Sequence, residues 1–375
     1  MNKHAPTYPR RRVPALHLAA CAALMTASAA CVSGDVDNED DLVPSWAVEL
    51  AGVDRSPVTI AGDQWNSCPT WDCGKNHAKL NMFPIPELHE RGQPNPQGMR
   101  IVSVERHGEA LDLAVENGVM TGFNAANTYT HQGMIDSIMT VTDGQITWEI
   151  MIVNYTRKLL YWAGPGTISA YHLMYRQLGM RATAWQEVCN EPLEPADAAM
   201  WPDQYETYAL LIDDERYDTD AIKVDPNPGG GWFNIACAGS ALSKMMLMHY
   251  NPHLPANDAY YSTPAERTAV LKMITADYLG IGEAFTRGGV ELKWQDTTSL
   301  YPDPWPAPVL EGVWDEHGAL CLDWPRLHIF ETNMRDKIES QCSEPCTMPP
   351  TCGEAGINDD NWAEYGLWRT YNPWW

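Results

Sequence analysis

The sequence predicts an α+β fold: a β-rich body of short antiparallel strands and hairpins with two main helices, stabilised by disulfides. Three observations carry that expectation. Short runs rich in β-branched and aromatic residues recur between Gly, Pro, Asn and Asp turn signals. Only two segments change to helical spacing. Eight cysteines remain beyond residue 31, an even number that suits pairing in an exported chain. With 375 residues, 45% of them apolar, the chain can bury a substantial core.

The N-terminal residues 1–30 read as a signal peptide. A basic stretch, "KHAPTYPRRR", precedes the Ala-rich apolar run "VPALHLAACAALMTASAA", which Pro14 and His17 interrupt. Small residues then lead to Cys31, and "SAAC" resembles a lipobox with Ser28 where Leu is usual. Lipidation of Cys31, and so a membrane partner through a lipid anchor at the outer membrane or cell surface, is the first expectation. Ordinary cleavage near Ala27-Ser28-Ala29, releasing a secreted or periplasmic protein, is the alternative. Residues 31–59 follow as an acidic tether. Asp35, Asp37 and Glu39 alternate there as in a calcium loop, but the required Gly and final Glu are missing. The formal net charge is −24. Residues 1–30 hold four basic residues and no acid, so the remainder carries −28. Such a surface repels phosphate backbones and argues against nucleic acid as a partner.

Residues 60–98, rich in Pro and Gly, read as an irregular segment in which Cys68 and Cys73 suit a local disulfide. The body spans residues 99–340. "MRIVSVERHGEALDLAV" reads as two strands around His107-Gly108. "ITWEIMIVNYT" and "ISAYHLMYRQ" are strands joined through "GPG", and "YETYALLIDDERYDTDAIKVD" forms two more around an acidic turn. "WFNIA" suits a strand, and "CAGSALSKMMLMHY" suits a helix that stops before Pro252. Thr263-Pro264-Ala265-Glu266 is a capping box with Pro at the first helical position. The second helix should therefore run from there to Tyr278 or Leu279 and stop at Gly280. "EAFTRGGVELKW" and "VWDEHGALCLDW" read as hairpins with Gly in the turn. Residues 341–375 form a Cys/Trp-rich tail. Its "CSEPCTMPPTC" lacks a fourth zinc ligand and so suits disulfides, and its "NPWW" suits docking onto the body rather than a sugar platform. The disulfide candidates are Cys68, Cys73, Cys189, Cys237, Cys321, Cys342, Cys346 and Cys352, with the pairing left open.

Asp277 is the odd residue. At helical spacing it shares a face with Val270 and Ile274 in the last turn, where burial and the helix dipole both oppose its charge. It needs a partner, either the amides of "GIGE" or Arg287. The first reading is a structural anchor for the loop that leaves the helix. The second is a general acid, with Glu283 or Glu311 as the other catalytic carboxylate of a hydrolase acting on envelope or extracellular polysaccharide. Cys237, set at a helix start, suits a half-cystine before a nucleophile. "GIGEAFTRGG" follows a helix rather than a strand, so it is no dinucleotide loop, and GxSxG and HExxH are absent. No cofactor and no metal are expected.

At "TADYLG" the chain resembles the ADYC domain, a family of exported bacterial proteins, often lipoproteins, named for an Ala-Asp-Tyr-Cys motif. The resemblance runs through "WQEVC", "FNIACAGSALSK", "HYNP", "AVLKMITADYLG" and "GVWDEHGALCLDWPR", over about residues 185–326. Ala276, Asp277, Tyr278 and Gly280 match the motif, and Leu279 replaces its Cys. Met245 and Val270 stand at two further family cysteine positions. The resemblance implies a domain identity and not a reaction. The expectation is an envelope protein that binds an envelope or carbohydrate ligand, or a structural component, with the hydrolase as alternative.

Overall fold

The computed structural model describes residues 78–372, except 82, 86, 180–183, 190–207, 226–228, 238, 287–291, 302–308, 329–331 and 344–345. Cys31, the tether, Cys68, Cys73, Arg287 and the final Trp pair lie outside the described residues. Strands begin earlier than the Pro-rich composition of residues 60–98 suggests. A small hairpin of β1 (Lys79–Leu80) and β2 (Phe83–Pro84) leads into β3 (Glu87–His89).

A hairpin of β4 (Arg100–Arg106) and β5 (Glu109–Glu116) turns through His107-Gly108, both at positive φ. The next turn, Asn117-Gly118, also has positive φ at both residues and leads to β6 (Val119–Phe123), then β7 (Thr128–Thr130). Asn-Gly is the pair that this two-residue geometry favours. The sheet continues with β8 (Ser137–Thr142) and the long strands β9 (Thr147–Leu160) and β10 (Thr167–Gln177). Then come β11 (Gln186–Glu187), β12 (Tyr208–Asp213), the small pair β13 (Arg216–Asp218) and β14 (Lys223–Asp225), and β15 (Trp232–Cys237). The main sheet has eleven strands in the order β3-β15-β12-β10-β9-β8-β4-β5-β6-β7, with β11 beside β10.

Strands β12 and β15 are buried along their whole length, and their alternate residues serve two cores. Ala209, Leu211, Phe233 and Ile235 face one core, which they share with Leu111, Leu113 and Met120 from the far end of the strand order. The sheet therefore folds over on itself. Two polar contacts hold the fold-over: the Met120 amide donates to the Tyr171 hydroxyl at 2.8 Å, and the Asn117 and Gly118 amides donate to Asp213 at 3.0 and 2.9 Å. Irregularities in the β9–β10 register suit such bending.

The opposite face carries Leu210, Ile212 and Ala236 against α1 (Ala241–Leu247) and α2 (Pro264–Thr275). Helix α1 starts four residues beyond Cys237, at an N-cap Ser240 that accepts from the Ser243 amide, while Cys237 itself ends β15. The capping box of α2 is present in both directions: Thr263 accepts from the Glu266 amide, and Glu266 accepts from the Thr263 amide. The helix stops at Thr275, short of the expected Tyr278, because Ala276 turns into the left-handed region at φ 56°. Gly280 has another role. A methyl group there would lie 1.7 Å from the His317 carbonyl oxygen, so glycine permits the chain to touch the next hairpin.

A second, four-stranded antiparallel sheet has the order β16-β19-β17-β18, from β16 (Lys293–Asp296), β17 (Val309–Asp315), β18 (Gly318–Leu322) and β19 (Trp368–Asn372). The hairpin expected in "VWDEHGALCLDW" is β17–β18. The one expected in "EAFTRGGVELKW" is not formed by its described residues. Glu283–Thr286 are non-regular, with the Phe285 amide bonded back to Thr275, and β16 pairs with β19. A third helix, α3 (Met334–Gln341), was not expected. It buries only Met334 and Ile338, one turn apart, so its apolar signal is thin. Residues 341–375 are no appendage either, since β19 fills the middle of the second sheet and its Trp368 is buried. Trp362 is buried too, so neither forms an open platform. Among the described residues three disulfides are present: Cys189–Cys237, Cys321–Cys352 and Cys342–Cys346. Among the described residues no helix is long and apolar enough to cross a membrane.

Candidate functional site

Asp277 is fully enclosed, and so is its partner. Lys272 Nζ lies 2.6 Å from Asp277 Oδ2, with the two side chains 2% and 0% exposed. The Ile281 and Gly282 amides donate to Oδ1 and Oδ2 at 3.0 and 2.9 Å. The lysine also donates to the Ala221 carbonyl at 2.6 Å. The carboxylate thus gathers the helix end and the glycine loop around one charge.

Glu311 sits in a second internal network. It accepts from the Tyr278 hydroxyl at 2.5 Å and from Arg326 Nε at 2.8 Å. Arg326 also donates to the Met273 and Ile274 carbonyls at 2.6 and 2.9 Å, capping the open C-terminus of α2. Burial drives the Tyr278 hydroxyl well above its ordinary pKa, and the Glu311 charge adds to that. Glu283 is exposed. The three candidate carboxylates therefore share no open cleft: two are held by internal partners and the third faces solvent. Cys237 is bonded to Cys189 and is not a free thiol. Met245 and Val270 are fully buried in the helix-side core, and Leu279 packs against it.

Open polar space lies elsewhere, at the seam where the main sheet meets α1. A cavity of about 170 Å³ is bounded by the Asn117-Gly118 turn, His131, Arg157 and Tyr161 at the end of β9, Thr167 and Ser169 at the start of β10, and Asn251 beyond α1. Among the described residues no carboxylate lines it. Arg157 is exposed, and among the described residues no acid forms an ion pair with it. His131 holds positive φ, 55°, and its ring rests edge-on against Tyr155 at 5.4 Å. Desolvation, and then Arg157, lower the pKa of that imidazole.

Tyr161, on the cavity wall, is the first of a stack of three rings. His249 lies between Tyr161 and Tyr260, with centroids 3.9 and 4.4 Å away and planes within 7°. His249 Nδ1 lies 2.9 Å from the Ala163 carbonyl oxygen, which can only accept, so Nδ1 carries the proton. Burial lowers the pKa of this histidine as well. Gly164 makes the stack fit, because a methyl there would lie 2.7 Å from His249 Nδ1. Tyr161 in turn accepts from Asn251 Nδ2 at 3.2 Å.

Two groups of His and acidic side chains bring their oxygen and nitrogen atoms together. His253 lies between Asp213, at 3.1 Å, and Asp214, at 3.6 Å. Burial raises the Asp213 carboxyl, whereas the neighbouring His253 lowers Asp214. Since Asp213 also takes the Asn117 and Gly118 amides, this cluster ties one rim of the cavity to the loop after α1. Asp315, Glu316 and His317 form the other group, on the β17–β18 turn. Sequence reasoning missed the cavity and both groups. The cavity's members, and His253 against Asp213-Asp214, come from strands and loops far apart in the chain, and only "GPG" and "HYNP" signalled that turns meet here, whereas Asp315-Glu316-His317 are consecutive and were read only as part of a hairpin.

No curated protein and no solved structure matches the chain. The family model of the ADYC domain matches residues 131–328, from the cavity's His131 through β8, β9 and β10 to the buried Arg326, and so begins well before the motif blocks at about residue 185. With more than half of its length matched, the chain belongs to the ADYC domain family.

Proposed function

We propose that the protein is a non-catalytic binding protein of the cell envelope, exported by its N-terminal segment and held at the membrane through lipid on Cys31. The observation that carries the binding reading is the division of its polar groups. Asp277 and Glu311 spend their charge on internal partners, while Arg157 and the polar side chains around it line an open cavity free of acids. Paired carboxylate chemistry on a polysaccharide needs two reachable acids on either side of a bond. A binding site needs a few polar groups that converge on a concave surface, which matches the cavity. Three disulfides and the strongly acidic composition suit an exported, soluble body. The ligand is drawn from envelope or carbohydrate material.

The test is to purify the mature protein from its native host, determine its N-terminal mass, and incubate it with envelope polysaccharide and its small acidic fragments. A diacylated Cys31 and ligand recovered chemically unchanged are expected. An unmodified N-terminus at another residue overturns the lipid anchor, and new reducing ends overturn the non-catalytic reading.

A further inference from the structure

The geometry points to a small hydroxylated monocarboxylate, of the sugar-acid class, as the ligand of the cavity between the Asn117-Gly118 turn and α1. The inference rests on the binding reading above and names its site and ligand chemistry.

Charge comes first. The chain is formally −24, so a site that takes an anion must supply its own local cation. Arg157 does so, and among the described residues no lining carboxylate competes for it. Its planar guanidinium matches the two oxygens of a carboxylate. The number of charges selects among anions. Arg157 is always protonated, whereas desolvation and Arg157 both keep His131 neutral near pH 7. One fixed positive charge suits one carboxylate better than a phosphate dianion, and leaves His131 as a neutral hydrogen-bonding group.

The rest of the lining explains the hydroxyl groups. Asn117, Thr167, Ser169 and Asn251 bring amide and hydroxyl groups to the lining, beside the apolar Val119, Ile168 and Met246, and Ser169 and Asn251 are themselves positioned by Tyr155 and Tyr161. Size sets the length. A cavity of about 150 Å³ holds a molecule the size of benzene, so the 170 Å³ here takes an acid of about seven non-hydrogen atoms. Glycerate has that size, that charge and two hydroxyls. The site also has a stiff frame. Asp213 holds the Asn117-Gly118 turn, and stacking on His249 holds Tyr161. Preorganised walls reduce the ordering cost of a small ligand.

The experiment is titration calorimetry of the full mature protein at pH 7 with glycerate, glycerol and inorganic phosphate. Saturable one-to-one binding of glycerate is expected, with glycerol and phosphate at least about tenfold weaker. Arg157→Gln should weaken glycerate by about tenfold or more with an unchanged melting temperature, since the side chain is exposed. Ser169→Ala provides a second, uncharged variant and should weaken glycerate by a smaller factor. Absence of saturable glycerate binding overturns the proposal. So does Arg157→Gln with wild-type affinity, or phosphate or glycerol binding as tightly as glycerate. Retention of polysaccharide without glycerate binding would overturn this site assignment alone. Chemical conversion of bound glycerate would overturn the non-catalytic reading and leave the site standing.

Discussion

Lys272 and Asp277 are both shut away from water, and two charges survive there only because every atom around them answers one or the other. The carboxylate has the ammonium and two amides, and the ammonium has the carboxylate and a carbonyl. Breaking such a pair from one side leaves an uncompensated charge and costs about 3–5 kcal/mol. Asp277→Asn should lower the unfolding free energy by that amount in a urea titration, and adding Lys272→Met should restore part of it. A wild-type midpoint for the single variant would remove the anchor role. The sequence tells that Asp277 is buried and that the "GIG" amides are within reach. It does not tell that Lys272 is the partner. Five residues along a helix do not meet; these two do because the helix stops at Thr275 and Ala276 turns the chain back.

At the scale of elements, local rules worked where the signal was local. Thr-Pro-Ala-Glu specifies the start of α2, and both reciprocal hydrogen bonds are there. Thr263→Ala should cost about 1 kcal/mol, read from thermal unfolding, with α2 still formed. A loss several times larger would mean that Thr263 does more than cap. The end of α2 was less legible, since glycine is the usual left-handed terminator and Ala276 took that place, while Gly280 serves a backbone approach instead. Strand β16 was legible as a strand, but its neighbour was not. Alternation says which face is buried and is silent about which strand lies alongside. The cavity was hidden for the same reason, because Arg157, Ser169 and Asn251 have no common period.

In the whole molecule, the fold class and the disulfide character followed from composition, while the connectivity did not. Cysteine count shows that pairs exist. Only the fold shows that Cys321, on β18, reaches Cys352 in the segment leading to β19. That segment matters because β19 is the single link between β16 and β17. Removing residues 367–375 should leave β17–β18 and α2 without a covered face. We expect loss of the cooperative unfolding transition in circular dichroism and rapid proteolysis of residues 293–366. A truncated chain that unfolds with the midpoint and denaturant slope of the full one would show that the second sheet is dispensable.

The position of β19 also sets an order of assembly. A ribosome or an export channel delivers a chain with its N-terminus first. The main sheet can therefore begin to pair while later residues are still to come, but the second sheet stays open until Trp368–Asn372 has emerged. Through that interval the β17–β18 hairpin waits with an unpaired edge. A chain stalled before that point is thus caught with its second sheet half-built.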